Sequence, residues 1–251
     1  KTSNLGYPAT PWIQALRGHG AENRKSIMAT LDSVKLDLTG WKAVRRNESM
    51  AVWSDGDGDA LAINLFHAVP DIPPPVMGSG GLRNYFRSQC AAPDSGIVEV
   101  DVVSIQGVSC GRMIVKARMQ PTGFTFQGTI VIPKHDFSFV NRVQCLEQGP
   151  TGMREAAIML VEMPNPEYEP DPHQAPHPLF PNAIPAGRIK GWFKDPYDSA
   201  FDSTALRTLS DDVKYDSRFS THPLSRARRK IDSVIASVRL GSDVLAAPDH
   251  N

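Results

Sequence analysis

The sequence predicts an α+β domain built on antiparallel β-meanders, with about seven strands packed against helices. Two stretches of alternating, β-branched residues separated by polar turns carry that prediction, one near residues 41–66 and one over 97–146. Short segments with apolar residues at helical spacing flank both stretches. A chain of 251 residues, 41% of them apolar, is long enough to bury one sizeable core.

Residues 1–22 contain Gly6, Pro8, Pro11, Gly18 and Gly20 and read as an irregular arm anchored by Trp12 and Leu16. Ile27, Met28, Leu31 and Val34 then predict an amphipathic helix from Asn23 to about Leu36. The first meander follows as Trp41 to Val44, Met50 to Trp53 and Ala60 to Phe66, with turns at Asn47-Glu48 and Asp55 to Asp59. Pro70, Pro73, Pro74 and Pro75 stop it, because proline has no donor for a ladder. Leu82, Tyr85 and Phe86 fit one face of a short helix after Ser79 that ends near Cys90.

The second meander opens with strands over Ile97 to Ile105 and Arg112 to Met119, around a turn holding Gly107 and Gly111. A turn centred between Val108 and Ser109 would place Glu99 opposite Arg118 and Asp101 opposite Lys116. It would also set Val98, Val100 and Val102 opposite Met119, Ala117 and Val115, giving one charged face and one apolar face. Further strands are expected over Phe124 to Ile132, after the Pro121-Thr122-Gly123 turn, and over Phe137 to Leu146. Thr151 to Met163 reads as a helix with Thr151 as N-cap and Met153, Ala156, Ala157 and Leu160 on its packing face.

Eight prolines between Pro164 and Pro185 predict an extended, polyproline-like strap. Trp192, Phe193, Tyr197 and Phe201 follow and would pin that strap to the core. The final helix is expected from Pro223 to Leu240, with Gly241 as its stop and Leu224, Ala227, Ile231, Val234, Ile235 and Val238 as its apolar stripe. Three units result: the arm over 1–22, the α+β core over 23–163, and the strap with its C-terminal helix over 164–251.

Charge is balanced at 27 basic and 27 acidic residues, which argues against nucleic acid or an anionic membrane as the main partner. No apolar run approaches the roughly 20 residues that span a bilayer, so no membrane insertion is expected. Cys90, Cys110 and Cys145 form no CxxC pair and sit among apolar neighbours. They read as buried reduced thiols, which points to a cytoplasmic location. The chain begins with Lys1 rather than Met, so it is processed or trimmed, and a removed leader would leave no trace.

Five motifs invite a chemical reading. Gly107-Val108-Ser109-Cys110-Gly111 matches the G-x-S-x-G elbow of α/β-hydrolases, with Ser109 as nucleophile. His222 or His250 would then be the base and Asp195, Asp198, Asp211, Asp212 or Asp216 the orienter. The residues after it alternate as a strand rather than a helix, so a hairpin turn is the favoured reading. Asp55-Gly56-Asp57-Gly58-Asp59 resembles half a calcium loop, but Ala60 stands where the turn glycine belongs and Phe66 where the bidentate Glu belongs. His173 and His177 are four apart, yet Pro172, Pro176 and Pro178 exclude the helix that would pair them, so no metal site is expected. Gly80 and Gly81 before a helix, with Arg83 and Arg87 one turn apart, could hold an anion. Arg226, Arg228, Arg229 and Lys230 read as the solvated face of the last helix.

Trp41 opening the first strand, Gly58-Asp59, Pro70-Asp71-Ile72-Pro73 and Gly128-Thr129-Ile130-Val131-Ile132-Pro133 fall in an order that resembles the Mog1/PsbP-like fold. Val143-Gln144 and Gly149-Pro150-Thr151-Gly152-Met153-Arg154-Glu155 are similar to the entry into that fold's last helix. The likeness covers about residues 23–163, and the C-terminal third resembles the tails of uncharacterised bacterial proteins. It implies a non-catalytic module without cofactor that docks onto a protein partner, since members of the fold assist photosystem assembly or bind small GTPases. The competing expectation is an enzyme whose site is assembled from distant residues, with His67, Asp59, Arg83, His222 and Asp216 as its parts.

Overall fold

In the computed structural model, which describes residues 29–90, 94–119, 123–170 and 187–251, the two meanders join edge to edge into one sheet. The first comprises β2 (Lys42–Arg46), β3 (Met50–Ser54) and β4 (Ala60–Phe66). The second comprises β5 (Ser95–Ile105), β6 (Val108–Arg118), β7 (Phe124–Pro133) and β8 (Ser138–Leu146). β8 pairs antiparallel with β4, so the seven-stranded order is β2-β3-β4-β8-β7-β6-β5. The expected α+β class with about seven antiparallel strands is therefore what the chain forms.

Both faces of this sheet are covered. On one, Leu61, Ile63, Ile114, Phe126, Ile130 and Phe139 pack against Leu224, Ala227, Ile231 and Val234 of α3 (Pro223–Ser237). On the other, Val100, Met113, Val115, Val131 and Val140 meet Leu82 and Phe86 of α1 (Ser79–Gln89). Coverage on both sides explains why β7 and β8 are buried along nearly their whole length, on both of their faces. Gly128 of β7 lies directly under α3, where a Cβ would stand 3.1 Å from that of Ile231. The C-terminal third thus supplies one whole layer of the main core.

The β5–β6 hairpin corrects the expected register. The reversal is the two-residue turn Gln106-Gly107, both with positive φ (49° and 88°), and Ile105 lies opposite Val108. Glu99 consequently faces Ile114 rather than Arg118, Asp101 faces Arg112 rather than Lys116, and Val100 and Val102 face Met113 and Gly111. The tight turn prevails because Val108 to Cys110 bury well as strand. A four-residue displacement is even, so Glu99 keeps its place on the face of Lys116 and Arg118.

Helix ends differ in instructive ways. Residues 1–28 lie outside the described residues, with the arm and the start of the expected first helix. Its remainder is a single 3₁₀ turn, Leu31–Ser33, followed by β1 (Val34–Lys35). β1 pairs with β9 (Arg239–Leu240), which ends α3 at Ser237 and leaves Gly241 to open the short α4 (Ser242–Ala246) instead of stopping α3. α2 spans Met153–Glu162 with Gly152, not Thr151, at its N-cap, where the Glu147 carboxylate accepts the Gly152 N–H at 2.7 Å.

The packing face of α2 is the reverse of the expected one. Its buried residues are Arg154 and Ile158, whereas Met153 is 62% and Leu160 75% exposed. Arg154 is drawn inward because its guanidinium finds four acceptors: the carbonyls of Ser210 and Asp212, the Asp216 carboxylate and the Ser225 hydroxyl. A satisfied buried cation outweighs the apolar stripe's claim on the core.

Candidate functional site

Ser109 lies inside strand β6, paired with Ser104 of β5, and the strand continues to Arg118. The helix that a nucleophile elbow requires after the serine is therefore not there. No hydrogen bond joins Ser109 to His222 or Asp216 among the described residues. His250 instead meets the Ile72 carbonyl at 2.8 Å. The five groups of the assembled-enzyme expectation are likewise dispersed, since no two of Asp59, His67, Arg83, His222 and Asp216 are hydrogen-bonded together. His67 is exposed just past β4.

The basic run of α3 is not solvated as the alternation with apolar residues suggested. Only Arg229 is exposed; Arg226 and Arg228 are buried and Lys230 is half-buried. They point inward because carboxylates wait beneath them. Arg228 binds Glu99 at 2.5 Å and Asp216 at 2.9 Å, and Arg112 binds Glu99 at 2.8 Å and Asp232 at 3.2 Å. Lys116 and Asp211, both fully enclosed, pair at 2.7 Å. Burial opposes ionisation of Glu99 and Asp211, yet the adjacent Arg228 and Arg112, and Lys116, hold both carboxyls below their ordinary pKa. An open cleft of about 330 Å³ is lined by Asp216, Ser225, Arg228, Arg229 and Asp232, of which Asp216 and Arg228 pair with each other and Asp232 pairs with Arg112.

The Asp55–Asp59 turn holds a cation supplied by the protein itself. Lys230 Nζ is bonded to Asp55 and Asp59 and lies 3.6 Å from Asp57, over the ring of Trp41. Arg226 binds the enclosed Asp59 through both carboxylate oxygens at 2.9 Å. These bonds overcome burial and keep the Asp59 carboxyl below its usual range. An ammonium thus stands where a calcium ion would in a binding loop. His173 and His177 lie outside the described residues.

At the N-terminus of α3, Glu147, Glu155 and His222 converge so that their ligand atoms lie within 4.8 Å of one another. Their fit to a metal fails on the histidine. His222 Nδ1 accepts the Leu224 N–H at 3.3 Å, which puts the proton of the neutral ring on Nε2, the nitrogen that faces Glu155 at 3.9 Å. That nitrogen has no hydrogen-bond partner, nor does Glu155 Oε2. Burial, reinforced by the charge of Arg154, depresses the imidazole pKa to about 3, and burial raises that of Glu155. The arrangement is a neutral donor facing a reluctant carboxylate, with Asp216 held apart by Arg154 and Arg228.

The anion expectation at α1 meets a different use of the same residues. Arg83 donates to the Val100 carbonyl, approaches Asp101 at 3.7 Å and stacks on Tyr197, 4.1 Å from the ring centre. Arg87 is bound to Asp195 at 3.1 Å. Gly80 lies in the first turn, and Gly81 admits Pro73, whose Cβ would stand 3.2 Å from an added one. Both arginines clasp the segment after the proline-rich stretch, of which residues 171–186 lie outside the described residues. Tyr197 also completes the outer edge of β5, accepting the Val100 N–H at 2.8 Å, while Ser203 donates to the Ser95 carbonyl. This segment after the proline-rich stretch therefore seals a strand edge.

What sequence reasoning missed is the outer surface of α2. Met153, Ala156, Leu160 and Val161 form an exposed apolar stripe on this helix, and Leu209 and Val213 of the neighbouring loop are exposed as well. The helical period was legible; only the inward draw of Arg154 decided which side faces solvent. Among the described residues, no helix is long and apolar enough to cross a membrane.

No protein-family model and no curated protein matches the chain. Among solved structures, it is similar to a protein of Bacteroides thetaiotaomicron at 9% identity, with a TM-score of 0.31 over 48% of this chain and 40% of that one. It is also similar to PA94 of Pseudomonas aeruginosa, a protein of unknown function, at 9% identity and a TM-score of 0.30 over 52% of this chain and 99% of that one. The chain spans less than half the length of the first of these, and similarity at that level carries no functional argument.

Proposed function

We propose that the chain is a non-enzymatic protein-binding or assembly module that docks its partner through the outer face of α2. One observation carries the reading: a four-residue apolar stripe at helical spacing faces solvent, with its own arginine turned inward. Leaving Leu160 and Met153 in water forgoes roughly 1.5–3 kcal/mol of burial each, a cost that a partner's apolar stripe would remove. The stripe itself carries no charge, so the fitting surface is an apolar helix or strand face of another polypeptide, in the groove mode of peptide recognition. The Mog1/PsbP-like order of elements over 23–163 supports the reading by analogy alone.

A photo-cross-linking residue at position 160 tests it. In native extract it forms an adduct with one defined protein, and the same residue at the exposed position 42 of β2 does not. The identified partner, purified, then binds wild type at least about tenfold more tightly than Leu160→Glu, the ~1.4 kcal/mol expected of one packed aliphatic contact. Equal affinity for the two proteins, or turnover of an ester, peptide or phosphate by the purified chain alone, defeats the reading.

A further inference from the structure

Seven cations are buried among the described residues, and six of them have a carboxylate partner: Arg112, Lys116, Lys134, Arg154, Arg226 and Arg228. The seventh, Arg142, has none. It sits in β8, the central strand of the sheet, and only 9% of its surface is exposed. No hydrogen bond or ion pair reaches its guanidinium from any described residue, and Nε is buried without an acceptor.

The surroundings are polar but carry no negative charge. Arg142 lies between Ala62 of β4 and Thr129 of β7, on the face of the sheet that carries Val140 and Val131. Gln127 donates to the Thr129 hydroxyl at 3.3 Å, so the hydroxyl proton is left to serve another acceptor. Gln144, two residues along β8, adds an amide opposite Gln127. Register places no Asp or Glu on this face of β3, β4, β7 or β8. A buried guanidinium is costly unless its charge and its donors are matched, and its planar fork matches an oxyanion.

We propose that Arg142, with Thr129 and Gln144, forms a binding site for a small oxyanion, a carboxylate or phosphate borne by a low-molecular-weight ligand. The site lies on the sheet itself, so it stands or falls independently of docking at α2. Burial depresses the Arg142 pKa to about 10, as expected for a cation without a counter-charge, and a bound anion would return it upward.

Isothermal titration with acetate and, separately, inorganic phosphate tests the site, with sodium chloride at matched ionic strength as the reference. Thermal unfolding in the same series controls for general salt effects. The expected result is saturable binding of at least one anion to wild type, with a rise in Tm over the chloride reference. Arg142→Met, which keeps the chain length without charge, should lose both, and Thr129→Val should weaken binding several-fold while folding normally. A preference between the two anions assigns the ligand as carboxylate or phosphate. Absence of saturable binding to wild type at 10 mM anion (about the weakest useful affinity), or equal binding by Arg142→Met, overturns the proposal. Should Arg142→Met not fold, Thr129→Val decides: unchanged affinity there also overturns it.

Discussion

The two faces of the central sheet solve the problem of burying polar groups in opposite ways. Beneath α3, Glu99, Arg112, Lys116, Asp211, Asp216 and Arg228 are enclosed together, and every cation has its anion within 3.2 Å. Beneath α1 the filling is apolar, with Leu82 and Phe86 over Val100, Met113 and Val115, and the nearby Arg142 is unmatched. The α3 face is the charged face that the hairpin's alternation predicts, and it is buried. The lesson is that alternation of charged and apolar residues marks two faces but does not say which is wet. A helix carrying complementary charges can dry the polar one.

The largest expected effect probes that ionic face. Asp211→Ala leaves the Lys116 ammonium enclosed without a counter-charge and should cost about 3–5 kcal/mol in urea unfolding. A loss below about 1 kcal/mol would mean that Lys116 finds water and that the face is wetter than its geometry. On the apolar face, Leu82→Ala removes a fully enclosed side chain and should cost about 2–4 kcal/mol, reflecting cavity formation. If both losses proved equal and insensitive to salt, the contrast between the faces would be one of composition only.

Acid titration sharpens the same comparison. The folded-state carboxyls of Asp59, Glu99 and Asp211 lie below their ordinary pKa, so their contribution is complete above the unfolded carboxylate range near 4 and is lost as pH falls below it. His222 acts at higher pH. Its folded pKa of about 3 lies under the unfolded value near 6.5, so the unfolded chain gains a proton that the folded one refuses. Stability should fall by ~1.4 kcal/mol per pH unit between about pH 6 and 4 on this account. His222→Asn, which retains an N-cap acceptor, should remove that slope and leave the steeper loss below pH 4. A slope unchanged in the variant would locate the proton elsewhere.

The smallest effect is expected at α2. Leu160→Glu should alter the unfolding midpoint by no more than about 0.5 kcal/mol, because the side chain is 75% exposed. Ile158→Ala, on the opposite side of the same helix, should cost about 2 kcal/mol or more. Reversal of this pair would restore the packing face that periodicity suggests and remove the surface on which docking rests.

Much of the sheet was legible because its information is local. Ala60 to Phe66 reads as strand from its own residues, Pro70 to Pro75 ends the meander, and Ser79 to Cys90 bounds a helix to within a residue. The hairpin turn was misplaced because Gly107 and Gly111 offer competing reversals. Only the positive φ that Gln106 accepts beside Gly107 selects between them. The candidate surfaces were less legible for a similar reason. Arg83 and Arg87 promise an anion until Asp101, Tyr197 and Asp195 arrive from other parts of the chain, and Arg142 looks like an ordinary strand residue until its neighbours fail to include an acid.

By itself, the amino-acid pattern determined the class of the domain, the seven strands of the main sheet, the helices α1 and α2, and the apolar stripe that carries α3. Those properties follow from periodicity and from the backbone limits of proline and glycine, which each segment expresses alone. Only tertiary structure decided the side from which each amphipathic element is buried, the pairing of Arg226 and Lys230 with a turn more than 160 residues away, and the isolation of Arg142. A charge's cost depends on what surrounds it, and for these residues the surroundings come from distant sequence.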